Sequence, residues 1–173
     1  MTDATILYEG DYFSLRSNAY GEFVQNGNEA LAVPLTEQNE VILLTEPSPA
    51  FGEPVLVLPG GATEADEDHS ETAIRELREE IGLAPNRIDF LGELQPFAKY
   101  FSMRSYLYLA RDLIPSPLKG DECYPIQQEK VALSTFETLI QSGRLRDART
   151  IAALYLARAF LAEQQNKHSE DPV

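Results

Sequence analysis

Short aromatic and β-branched runs at Ile6-Leu7-Tyr8, Tyr12-Phe13-Ser14-Leu15 and Glu22-Phe23-Val24 are separated by Gly10-Asp11 and Tyr20-Gly21, which predicts an antiparallel meander. Ala30 to Leu35 and Val41 to Thr45 flank the polar Thr36-Glu37-Gln38-Asn39-Glu40, a hairpin signal. Val55 to Leu58 reads as a further buried strand ahead of Pro59-Gly60-Gly61. From Asp68 the period lengthens. Ala73, Ile74, Leu77 and Ile81 fall at helical spacing, Asp68 with Glu71 forms a capping box, and Gly82 supplies the stop. Strands are expected again at Arg87 to Leu94 and Arg104 to Leu113, where Tyr106, Tyr108 and Ala110 alternate with Leu107, Leu109 and Arg111. Ser134-Thr135-Phe136-Glu137 is a second capping box, and Gly143 ends the short helix that it starts. Asp147 to about Gln165 carries Ile151, Leu154, Tyr155, Phe160 and Leu161 at roughly helical spacing, and residues 164–173 are polar and expected to fray. No repeat or linker divides the 173 residues, so one α/β domain is expected.

Charge narrows the chemistry. Fourteen Lys and Arg against 28 Asp and Glu give a net −14, which repels nucleic acid and anionic membranes. Phosphate chemistry remains open to such a chain where a divalent metal supplies the positive charge. The most apolar stretch, Ile151 to Ala162, is broken by Arg158 and falls short of the ~20 residues of a membrane helix. The one cysteine, Cys123, has no intramolecular partner, and Met1-Thr2-Asp3-Ala4-Thr5 carries neither a basic nor an apolar leader region, so a cytoplasmic protein is expected.

Between residues 61 and 83 stand eight acids (Glu64, Asp66, Glu67, Asp68, Glu71, Glu76, Glu79, Glu80) and two bases (Arg75, Arg78), a local charge of −6. On a helix Glu76 and Glu80 lie one turn apart with Glu79 beside them, so three carboxylates share a face. Like charges at that spacing cost a few tenths of a kcal/mol per pair in the bare helix, and binding of Mg²⁺ or Mn²⁺ reverses the penalty. Arg75 can pair with Glu71 or Glu79 and fix the carboxylates, while Gly60-Gly61 permits a sharp backbone turn.

The spacing is also a signature. Gly61, five residues, Glu67, seven residues, Arg75-Glu76-Leu77, Arg78, Glu79-Glu80, Ile81, Gly82-Leu83 resembles the Nudix box without gap or substitution. Its fixed identities would coincide by chance on the order of once in 10⁸ starting points at ~7% usage each. The resemblance extends from Ala30 to about Leu161 and is to the ADP-sugar branch. Arg111-Asp112-Leu113, Gly120-Asp121-Glu122 and Asp147-Ala148-Arg149-Thr150 are most similar to the tail of bacterial ADP-compounds hydrolases. Two departures stand out: Ala98 where relatives carry a proline, and Thr45-Glu46-Pro47 where they carry Gln-Tyr-Arg.

The resemblance implies a Nudix α/β/α sandwich with a mixed sheet and N-terminal antiparallel strands (1–27) through which relatives form homodimers. It implies Mg²⁺ or Mn²⁺ on Glu76, Glu79, Glu80 and the Gly60 carbonyl, with Glu67 supporting and Arg75 fixing the geometry. Catalytic roles fall to Glu79, Glu80 and Arg75, with Glu122 as general base where relatives place a loop glutamate; as alternatives, Glu122 is a plain turn acid and a box glutamate activates the water. Arg104 is a candidate contact for the substrate phosphate, and Tyr12, Phe13 and Phe23 stack on a base or belong to the core. The implied substrate is a nucleoside diphosphate linked to a second group, such as ADP-ribose giving AMP and the sugar phosphate. Cleavage of nucleoside triphosphates or dinucleoside polyphosphates is the alternative reaction, and binding of ADP-ribose without hydrolysis the alternative class.

Overall fold

In the computed structural model, which describes residues 4–120 and 124–170, the first three runs form β1 (Thr5–Glu9), β2 (Ser14–Asn18) and β3 (Gly21–Gln25), an antiparallel sheet in that order. Tyr12 and Phe13 lie in the β1–β2 turn and not in the expected strand. The Gly10 N–H donates to the Phe13 carbonyl at 3.0 Å, which closes the turn there and starts β2 at the buried Ser14.

The apolar runs after Gly27 become β4 (Glu29–Pro34) and β5 (Glu40–Ser48). They do not form the expected hairpin. The polar turn exists, with the Thr36 N–H donating to the Glu40 carbonyl at 2.9 Å and Asn39 at φ 58°, but only Leu35 and Val41 pair across it. The strands then diverge into different sheets. Beyond them lie β6 (Glu53–Val57), β7 (Gly60–Ala62), β8 (Leu83–Leu94), β9 (Ser105–Pro115) and β10 (Gln127–Ala132). One sheet runs β7-β4-β9-β8, with β4 parallel to β9 and the other pairs antiparallel; the other runs β10-β5-β6. Both diverging strands are interior and apolar on both faces, so each is covered from two sides.

Alternation sends the two faces into two cores. Leu31, Val33, Val41, Leu43, Leu107 and Leu109 meet Phe136, Leu145, Leu154 and Ala157 on one side. Ala30, Ala32, Ile42, Leu44, Tyr108 and Ala110 meet Ala73, Leu77 and Ile81 on the other. The helices responsible are α1 (His69–Glu80), α2 (Glu137–Gln141) and α3 (Ala148–Glu170), and the result is the expected α/β/α sandwich.

Asp68 caps α1 by accepting the Ser70 N–H at 2.8 Å, and Gly82 at φ 73° ends it. The second expected cap does not form. Phe136 precedes α2 in helical conformation with no side-chain capping bond; its buried ring packs edge-on against Tyr155 and brings the chain in through a turn instead. Asp147 accepts the Thr150 N–H at 2.8 Å at the start of α3. That helix continues through Glu170, beyond the expected end, and Gln164 accepts from Arg111 at 3.2 Å, so the stretch expected to fray is helical as far as it is described. Among the described residues, no helix is long and apolar enough to cross a membrane.

Candidate active site

The backbone at Gly60 tolerates no side chain. Pairing of β7 with β4 brings Leu31 opposite Gly60, so a Cβ there would stand 2.4 Å from the Ala30 carbonyl oxygen and 2.8 Å from Leu31 Cα. The Gly60 N–H, 2.9 Å from Glu80 Oε2, ties the last turn of α1 to β7. A Cβ on Gly61 would fall 2.3 Å from Glu76 Oε1, so this glycine keeps the space that the carboxylate occupies. Glu76 and Glu80 are only 8% and 9% exposed, on the helix face that packs toward the sheet.

Arg75 is the hub of the box. Its Nε donates to Glu67 at 3.0 Å, its Nη1 to Glu76 at 2.8 Å and Glu79 at 3.0 Å, and its Nη2 to Glu67 at 3.2 Å and the Ala62 carbonyl at 3.1 Å. The expected Glu79 pair is present; in place of Glu71, the fork takes Glu67 and Glu76, which lie on the box side. Hydrogen bonding to Glu67 and the neighbouring carboxylates raises the Arg75 pKa further above its ordinary value. Glu67 is lowered from 4.5 to about 2, first by its bond to Arg75 and further by the Glu64 N–H and Thr72 hydroxyl.

A depressed carboxyl stabilises the fold above its unfolded pKa, and that contribution is lost as pH falls toward the folded value. Urea denaturation of the wild type should therefore show stability declining from about pH 4.5 toward pH 2, and Glu67→Gln should flatten that decline. An unchanged pH slope in the variant would show that the Glu67–Arg75 bond carries no such linkage.

Among the described residues, no three histidine, cysteine, aspartate or glutamate side chains stand in an arrangement that holds a metal ion. The cause is visible: Arg75 lies among Glu67, Glu76 and Glu79, and Glu80 binds Gly60. The donor chemistry nevertheless suits a hard divalent cation, because two buried carboxylates and Glu79 gather beside a backbone kept open at Gly61.

Gly60, Glu67, Arg75, Glu76, Glu79 and Glu80 are thus brought together. Glu122 and Cys123 lie outside the described residues. Arg104 stands just before β9, its Nη1 2.7 Å from Glu93 and its N–H donating to Asn28. Tyr12, 88% exposed, and Phe23, on β3, line surface depressions that share no residue with the box.

A second charged cluster escaped sequence reasoning. Arg149 Nη1 donates to both oxygens of Glu29, at 2.9 and 2.7 Å, and its Nε to Asp147 at 3.2 Å; the Ser105 hydroxyl also donates to Glu29. Burial alone would lower the Arg149 pKa, but the Glu29 and Asp147 carboxylates outweigh it and raise the pKa. Next to it Thr150 Oγ1 accepts the Leu58 N–H at 3.1 Å, so the start of α3 grips the segment that leads to Gly60. The run 147–150 is visible in sequence, but its partner Glu29 is 120 residues from Arg149, beyond any local pattern. Arg78 was missed likewise: its Nε donates to the Ser116 carbonyl and hydroxyl, both at 3.1 Å, and holds the chain after β9 against the box helix.

A sequence profile for the NUDIX domain matches residues 26–154. The chain is 32% identical over 139 residues to ADP compounds hydrolase NudE of Escherichia coli (strain K12), across 80% of this chain and 74% of that protein. It is 22% identical over 148 residues to ADP-ribose pyrophosphatase of Bacillus subtilis (strain 168), across 84% and 80% respectively. A crystal structure of an ADP compounds hydrolase superposes with a TM-score of 0.82 at 27% identity, covering 94% of this chain and 93% of that one.

Proposed function

The chain belongs to the Nudix family, and from that premise we propose that it is a divalent-metal-dependent pyrophosphohydrolase acting on a nucleoside diphosphate linked to a second group. An ADP-sugar such as ADP-ribose, giving AMP and the sugar phosphate, is the substrate that the names of the relatives favour. The observation that carries this reading is the array of Glu76, Glu79 and Glu80 on one helix face against Gly60 and Gly61, with Arg75 spanning the acids.

In this reading Glu76, Glu79, Glu80 and the Gly60 carbonyl hold Mg²⁺ or Mn²⁺. When bound, such an ion supplies positive charge to the diphosphate and lowers the pKa of the attacking water. The protein needs that supply, since its net charge is −14 and the arginine nearest the acids is already committed to them. Arg75 keeps the carboxylates aligned, and Arg104, on releasing Glu93, contacts a phosphate oxygen. Glu122 takes the proton of the water. Chelation with EDTA should abolish hydrolysis, and added Mg²⁺ or Mn²⁺ should restore it; full activity in the chelated protein would overturn the reading. In the restored enzyme Glu122→Gln should depress kcat far more than it changes KM, whereas Asp121→Asn should do little. Equal losses in the two variants would assign the effect to loop charge.

The N-terminal sheet supports a homodimer as well. Ile6, Leu7 and Tyr8 are exposed on it, Tyr12 and Tyr20 are exposed in its two turns, and β1 is exposed along its whole length. An edge strand and an apolar surface of this kind are covered by a second copy in the proposed assembly. Light scattering at micromolar concentration should report twice the 19.3 kDa chain mass, and a monomer would reject the dimer.

A further inference from the structure

We infer that Arg149 is a positioning residue: acting through Glu29, it fixes the separation between Gly60, on the metal side of the proposed site, and Arg104, on its phosphate side. This rests on reading the protein as a metal-dependent pyrophosphohydrolase, and adds which residues hold the two sides of its site in register.

The apolar rows of the core beneath α3 end in a charge. Leu31 and Val33 on β4 meet Ala153 and Ala157 on α3 in that core. One step back along each row, two residues on the strand and four on the helix, stand Glu29 and Arg149 in place of another apolar pair. Arg149 Nη1 reaches both Glu29 oxygens, and both side chains are partly buried. A buried ion pair is often no more stabilising than apolar side chains of similar volume, so stability alone does not account for it. What a satisfied polar network adds is one fixed arrangement of the segments that carry it.

Three segments converge on Glu29. β4 lies between β7 and β9, and Glu29 pairs with Ala62 on one side and Ser105 on the other. The buried Ser105 hydroxyl donates to the Glu29 carboxylate, and the Glu29 N–H donates to the Arg104 carbonyl at 3.0 Å. The third segment is the start of α3. There Asp147 holds the Arg149 Nε at 3.2 Å and accepts the Thr150 N–H at 2.8 Å, while Thr150 Oγ1 accepts the Leu58 N–H at 3.1 Å. Gly60 is thus flanked by Leu58, tied to Thr150, and by Ala62, paired with Glu29. Arg104 is tied to Glu29 from the opposite side. A shift of Glu29 moves Gly60 and Arg104 relative to each other, and Arg149 holds Glu29 in place.

The test compares wild type, Arg149→Lys, Arg149→Met and the double variant Glu29→Leu with Arg149→Met, all as full chains. Calorimetry measures Mn²⁺ binding without substrate, and ¹H–¹⁵N spectra record the Gly60 and Arg104 amides without metal. The double variant leaves no orphan charge, so its melting temperature should return toward wild type where that of Arg149→Met falls. Its Mn²⁺ affinity should nevertheless stay about tenfold below wild type, as when a group that orients a metal ligand is removed, with both amide resonances displaced. Arg149→Lys keeps the charge but not the fork, so its affinity should lie between the two. Wild-type affinity and unmoved amides in the double variant would overturn the inference, because packing alone would then place Gly60 and Arg104. A wild type that binds Mn²⁺ but leaves ADP-ribose intact would refute the proposed activity and not the positioning role, which the amides report without substrate or metal.

Discussion

Glu80→Gln is expected to lower kcat on the order of 10³-fold while the protein stays folded. Two observations make the variant informative. The residue is 9% exposed, so its charge is held where water screens it little, and one of its oxygens accepts the Gly60 N–H at 2.9 Å. Glutamine matches glutamate in shape, and its amide oxygen can accept the same N–H, so the tie between α1 and β7 survives. What disappears is one negative charge from a set of three. If that set exists to concentrate positive charge on the diphosphate, the loss falls on the chemical step and on cation affinity. Steady-state rates at several Mg²⁺ concentrations, with melting curves for both proteins, check this; activity within threefold of wild type would remove Glu80 from the machinery.

Arg75→Ala carries the largest expected effect on stability. The guanidinium makes five hydrogen-bond contacts to three carboxylates and one carbonyl, and its removal leaves Glu67, Glu76 and Glu79 facing one another without a counter-charge. Breaking a buried ion pair costs about 3–5 kcal/mol; with Arg75 24% exposed, solvent screens part of the loss and ~3 kcal/mol is expected. Arg75→Lys should recover only a fraction, since an ammonium cannot span the three acids as the planar fork does. Urea denaturation of the three proteins gives the values. Mg²⁺ should raise the melting temperature of Arg75→Ala more than that of wild type, because the abandoned carboxylates are hard-cation ligands without a competing guanidinium. A variant as stable as wild type would mean that the acids tolerate one another without Arg75.

Most of the box was legible because its logic is local: a helix period, a capping aspartate and carboxylates at i, i+3 and i+4 are properties of a dozen consecutive residues. The sandwich was legible only through the resemblance of the box to the Nudix signature; the structure supplies its physical reason, since β4 and β5 are buried on both faces and need cover on two sides. Failures occurred where a tertiary contact overrode a local signal. The polar turn at 36–40 looked like a hairpin, but burial of Val33, Leu35, Val41 and Leu43 in one core, with their neighbours in the other, separates β4 and β5 into two sheets. Ser134 looked like a helix cap, but the buried ring of Phe136 sets the entry into α2. The Glu29–Arg149 pair joins the first strand of the sandwich to its last helix, and only the folded chain puts them within hydrogen-bond distance.

Product identification by ³¹P NMR, with the full chain and Mg²⁺ supplied with ADP-ribose, ADP-glucose, diadenosine polyphosphates and nucleoside triphosphates in turn, bears most directly on the proposed activity. Conversion of ADP-ribose to AMP and ribose 5-phosphate, lost in Glu80→Gln and in the presence of EDTA, is the predicted result. Hydrolysis of triphosphates or dinucleoside polyphosphates with ADP-ribose left intact, or binding of ADP-ribose without any product, would contradict it.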